Sequence, residues 1–183
     1  MNRRQRRRLA LSFFCTWGFL ALEACTHQIH VTPAPPVQSA AVIDQTLRVE
    51  VPLLTLQGPD RMPGIALLEW PAADLRQAIV EYARQRGTFP AVGDDHGTLT
   101  LTVKAWLWLR SREAYRYILH LESDLGPTGQ SAVKTYTVEK ETVGSRIRWT
   151  TSSDQYPIGA AVQAALDELF VQIEEDAALY RKR

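Results

Sequence analysis

From Leu99 to Arg110 apolar and polar residues alternate without a break. Leu99, Leu101, Val103, Ala105, Leu107 and Leu109 take one parity; Thr100, Thr102, Lys104, Trp106, Trp108 and Arg110 take the other. Successive side chains of a strand point to opposite faces, so this segment gathers its apolar residues on one side only as a strand. A sheet with one apolar face needs a cover, and two amphipathic segments supply it. Pro71 stands where a first helical residue is favoured. Leu75, Ala78, Ile79, Tyr82 and Ala83 follow at helical spacing, and Gly87 is a natural stop. Pro157 is expected to open a second helix, with Ile158, Val162, Ala165, Leu166, Leu169 and Ile173 as its apolar stripe.

Three more strands complete the pattern. Leu47, Val49, Val51 and Leu53 alternate with polar residues and Pro52, which predicts a strand over 47–54 with an edge or an end at the proline. Residues 114–125 read as the partner of the long strand, followed by the turn Gly126-Pro127-Thr128-Gly129 and a third strand over 132–143. The expected fold is α+β: a two-layer domain over 46–177, a mostly antiparallel sheet with both helices on one face. Residues 178–183 then form a short, frayed basic tail.

The N-terminus has another character. Residues 1–8 carry five arginines and no acid. The apolar run Leu9 to Leu22, about 14 residues, is shorter than the roughly 20 that span a bilayer and suits an export signal. Leu22-Glu23-Ala24-Cys25 follows and resembles the bacterial lipobox, with Glu23 departing from the usual pattern. The resemblance implies a signal peptide over 1–24, cleavage between Ala24 and Cys25, and a lipid on the Cys25 thiol. Thr26 stands where an Asp retains some lipoproteins in the inner membrane, so the resemblance leans towards an outer-membrane protein facing the periplasm. The competing view is a plain signal-anchor with a chance cysteine. Residues 25–45 contain Pro33, Pro35 and Pro36 and show no period, which predicts a flexible tether.

Cleavage would change the charge. Five of the 21 Lys+Arg and one of the 20 Asp+Glu leave with the signal; 16 against 19 remain, or −3, and no attraction to nucleic acid is implied. Of the two cysteines, Cys15 leaves and Cys25 is used, so none remains for a disulfide or a metal.

No P-loop, G-x-G-x-x-G, H-E-x-x-H or G-x-S-x-G motif occurs. His27 and His30 read as an incidental polar pair. Asp94, Asp95 and His96 read as turn residues, Glu139 and Glu141 as a solvated face, and Ser152-Ser153-Asp154 as a turn or cap. The sequence predicts no enzyme, metal or cofactor. Trp106 and Trp108 share the polar face of the long strand. Either neighbouring segments or Ile118 pack them, or they form a contact surface for a partner or an apolar ligand, with Trp149 able to join.

Three stretches carry a wider resemblance. They are Leu47-Arg48-Val49-Glu50-Val51-Pro52, Glu69 to Ile79, and the helix over 160–176 after a meander containing Leu99-Thr100-Leu101-Thr102-Val103. In pattern and order they are similar to the auxiliary lipoproteins of ABC-type lipid-transport systems (the PqiC kind) and to YajG-like lipoproteins. Gly58-Pro59-Asp60-Arg61 stands where the PqiC kind has an Arg-Pro-Gln element. The resemblance implies a non-catalytic accessory component of an envelope transport or assembly complex. The alternative is a lipoprotein that binds a lipid or other apolar ligand between sheet and helices.

Overall fold

The computed structural model describes residues 25–39, 42–58, 66–93, 96–148 and 150–181. The signal over 1–24, Asp94, Asp95 and Trp149 lie outside the described residues. The elements are β1 (Cys25–Gln28), β2 (Leu47–Gln57), β3 (Ala66–Glu69), α1 (Ala72–Arg86), β4 (Val92–Gly93), β5 (Leu99–Ser111), β6 (Tyr115–Pro127), β7 (Lys134–Val143), α2 (Ser152–Glu175) and a closing 3₁₀ turn (Ala177–Tyr180).

Among the described residues five strands form one sheet in the order β4-β2-β5-β6-β7, while β1 and β3 make a separate parallel pair. The long β5–β6 and β6–β7 ladders are antiparallel, and β2 runs parallel to β4 and β5. Parallel neighbours need a long crossover, and the chain between β2 and β5 provides one that contains α1. The α+β expectation is met. Leu101, Val103, Leu119, Leu121 and Val138 on one sheet face are buried with Ile79, Val162, Leu166 and Leu169 of the helices. The helices join through a tilted Tyr82–Phe170 ring pair, centroids 5.2 Å apart, and through a 2.5 Å hydrogen bond from the Tyr82 hydroxyl to Asp167. Burial, then Asp167, pushes the Tyr82 phenol up, so it stays a donor. Arg86 forks onto Glu174 at 2.7 and 2.8 Å beside them. No helix among the described residues is long and apolar enough to cross a membrane.

Two prolines act differently from expectation. Pro52 lies inside β2, where the register with β5 jumps between Glu50 and Leu53. Two β2 residues oppose one on β5 there, a bulge, and a bulge tolerates a residue that lacks an N–H. It also reverses the faces. Leu54 and Leu56 turn to the core while Leu53 is exposed, so the simple alternation through Leu53 is corrected. Pro157 lies within α2 rather than at its start, since the helix already begins at Ser152. A helical proline frees the carbonyl four residues earlier; that group, Ser153 O, accepts a hydrogen bond from the Tyr117 hydroxyl at 3.3 Å.

The flexible tether over 25–45 is also corrected. His27, Ile29, Val31 and Pro33 point inward while Gln28, His30, Thr32 and Ala34 point out, an extended chain laid along the helices. Ala34 N donates to Gln163 Oε1 (2.8 Å), Ser39 N to Arg86 O (2.7 Å) and Ile43 N to Thr88 O (2.8 Å). Prolines fit such a strap because it needs few donors from its own backbone. At the other terminus Tyr180 is no frayed tail: its buried hydroxyl meets that of Tyr136 at 2.7 Å.

Candidate functional site

Among the described residues, one face of the main sheet has no helix over it. β5 directs Thr100, Thr102, Lys104, Trp106, Trp108 and Arg110 there, all of the parity opposite to the buried leucines. Cross-strand register fixes the neighbours. Trp106 lies between Thr55 and His120, with Glu139 beyond, and Trp108 lies between Gln57 and Ile118, with Glu141 beyond.

Both indoles are half-buried, and His120 sits between them. Ring centroids are 5.5 Å from Trp106 and 5.9 Å from Trp108, each pair tilted by 59°. Trp108 Nε1 donates to Gln57 Oε1 at 2.6 Å, which holds its ring in place. Among the described residues His120 Nδ1 makes no hydrogen bond, and it has Glu139 Oε2 at 3.5 Å. Aromatic rings held this way cost little entropy on binding and are enriched at interfaces. Ile118 and His120 pack against the tryptophans from the side. The N-terminal strap lies along α2 and does not cover them.

The rest of this face is polar. Lys104 Nζ meets Glu122 at 2.6 Å, and that carboxylate pushes the ammonium further towards its charged form. Arg48, Glu50, Thr100, Thr102 and Asp124 line a groove of about 470 Å³ towards the far end. Glu139 and Glu141 form the solvated edge expected of them, the second paired with Arg116.

A second polar cluster escaped the sequence reading. The Asp154 carboxylate, fully buried, receives Arg148 Nε (2.5 Å) and Nη2 (2.7 Å), the Tyr117 hydroxyl (2.5 Å) and His27 Nδ1 (2.5 Å). Burial alone would raise this carboxyl; the bonds from Arg148, Tyr117 and His27 outweigh it and hold it below its ordinary value. His27 is 4% exposed and Arg148 6%, so the cluster presents almost nothing to solvent. Its effect is to clamp the start of the strap onto the N-terminus of α2. His30 does not join it. It bonds Asp74, which also accepts from Val31 N (3.2 Å) and Trp70 Nε1 (3.0 Å). The two histidines therefore serve separate clamps. The available signal was that Asp154 precedes Ile158 by one helical turn, a polar residue on the apolar stripe.

His96 is exposed. Among the described residues no group of three His, Cys, Asp or Glu is placed to hold a metal ion.

No family model matches the chain, and no curated protein does. Among solved structures the chain is similar to a Xanthomonas campestris protein described under family DUF330, with 18% identity, TM-score 0.52, and coverage of 85% of this chain and 96% of that one. A minor lipoprotein from Acinetobacter baumannii aligns at 11% identity and TM-score 0.49, covering 74% of this chain and 96% of that one. The likeness to the Xanthomonas protein is one of fold.

Proposed function

We propose that this chain is a lipid-anchored, non-catalytic component of the bacterial cell envelope, carrying a lipid on Cys25 and facing the periplasm from the outer membrane. Its role is that of an accessory protein in a transport or assembly complex, of the lipid-handling ABC type by the resemblance described above. The observation that carries the binding role is the Trp106–His120–Trp108 group, half-exposed and positioned on a sheet face that no helix among the described residues covers.

The anchor is tested with Cys25→Ser. The wild-type chain is expected to fractionate with membranes, with a mass matching an N-terminal cysteine that carries diacylglycerol on its thiol and an acyl chain on its amine. The variant is expected to lose that mass and at least ten-fold of its membrane association. An unchanged distribution would remove the lipoprotein assignment.

The face is tested with Trp106→Glu combined with Trp108→Glu. Both positions look outward, so the circular dichroism spectrum is expected to stay unchanged. Recovery of the envelope partner in pull-downs from detergent-solubilised membranes is expected to fall at least ten-fold, because a charge in the centre of an interface is left unpaired. A folded variant that recovers every partner at wild-type level would refute the face.

The alternative, an apolar ligand between sheet and helices, meets a layer of fully buried side chains at that position, among them Leu101, Val103, Val162 and Leu166. An apolar ligand would instead use the surface groove of about 520 Å³ where Leu54 and Leu56 face Leu67, Leu68 and Trp70. Lipid carried through native mass spectrometry would favour it.

A further inference from the structure

The clamp on His27 determines which end of the domain lies nearest the anchor. His27 is bound to Asp154 in the first turn of α2, and Cys25 precedes it by two extended residues, about 7 Å. The same end holds the β5–β6 hairpin and the chain that follows β7. Tyr115 N donates to Ser145 O at 3.1 Å, Gly144 N donates to Tyr115 O at 2.8 Å, and Arg148 lies over the Tyr115 ring. Arg110, Arg112 and Arg146 are exposed here and have no carboxylate partner among the described residues. Glu113 is the exposed acid of the hairpin, while Glu141 is taken by Arg116. Apolar side chains stand out beside them: Tyr156 is 77% exposed and Ile147 56%.

We propose that this end docks on the anionic phospholipid headgroups of the leaflet that holds the anchor. The inference rests on Cys25 carrying the lipid. Arginines close to an anionic bilayer each strengthen attachment by about five-fold, and Tyr156 and Ile147 suit the headgroup boundary. With no slack between anchor and domain, the strands stand upright on the membrane. The tryptophan face then looks sideways along it, available to a neighbour in the same membrane.

The test uses the full lipidated protein carrying Glu113→Cys, labelled at that position with an environment-sensitive fluorophore. It is placed on vesicles of phosphatidylcholine alone or of phosphatidylcholine with phosphatidylglycerol. Flotation reads the anchor and the probe reads the docking. The expected result is flotation on both vesicles, with a blue-shifted probe only where phosphatidylglycerol is present, reversed by high salt. Arg110→Gln, Arg112→Gln and Arg146→Gln together are expected to leave flotation intact and to lower the docked-to-undocked ratio about 100-fold. A protein that floats while its probe stays water-exposed on both vesicles overturns the docking and leaves the anchor standing. Failure to float overturns the anchor and the docking with it. A probe shielded in native membranes but never on vesicles also overturns the proposal, because a protein would then be the occupant.

Discussion

Asp154→Ala is expected to lower the stability of the domain by about 3–5 kcal/mol at neutral pH, the cost of leaving a buried ion without its partner. The Arg148 guanidinium is the stranded group: it lies 6% exposed with two nitrogens on the carboxylate, and its Nη1 already lacks a hydrogen bond among the described residues. Among the described residues His27 has no other hydrogen bond to α2, so residues 25–27 are expected to become sensitive to protease while His30 and Val31 stay on Asp74 and the helices persist. Asp154→Asn keeps the shape and loses the charge, and should cost less. The acid dependence follows from the sign of the shift. A carboxyl held below its ordinary value contributes stability above the unfolded value of about 3.9 and loses it as pH falls through the folded value. Urea midpoints of the wild type should therefore fall between pH 5 and the acid limit by more than those of Asp154→Asn. The difference will be partial, because Glu174, lowered by Arg86 against its own burial, titrates in the same direction. An Asp154→Ala protein within about 1 kcal/mol of wild type would mean that the cluster is open in solution.

Phe170→Ala should cost about 3–5 kcal/mol and lower the melting temperature by about 10 °C. The ring is fully buried where the helices cross, tilted against Tyr82 of α1. Removing it deletes the apolar transfer term and leaves a cavity. That cavity cannot collapse easily, because Tyr82 is held by Asp167 and Arg86. Phe170→Leu, nearer in volume, should cost about 1.5 kcal/mol or less. Equal effects of the two substitutions in thermal melts would show that the helix contact is looser than the buried rings imply.

Different parts of the molecule were legible to different degrees. The long strand and the body of both helices could be read residue by residue, because a two-residue or 3.6-residue period is a local property. The end of β2 was misread at Pro52: a bulge reverses the faces of every residue beyond it, and only the partner strand reveals the slip. The start of α2 was misread because Pro157 is a common first residue. Tyr117, which takes the carbonyl that the proline frees, is distant in sequence. The tryptophan face was partly legible. Parity alone placed Trp106 and Trp108 opposite the core, while His120 came between them through the β5–β6 register.

By itself, the sequence determined the layers: which segments are strands and helices, and which side of each is apolar. Those properties depend on neighbours within a few residues, and backbone geometry repeats them regularly. The tertiary structure alone decided that the proline-containing strap is ordered and that His27 is held against the first turn of α2. His27 and Asp154 are 127 positions apart. A buried charge is stable only where folding assembles all of its partners at once.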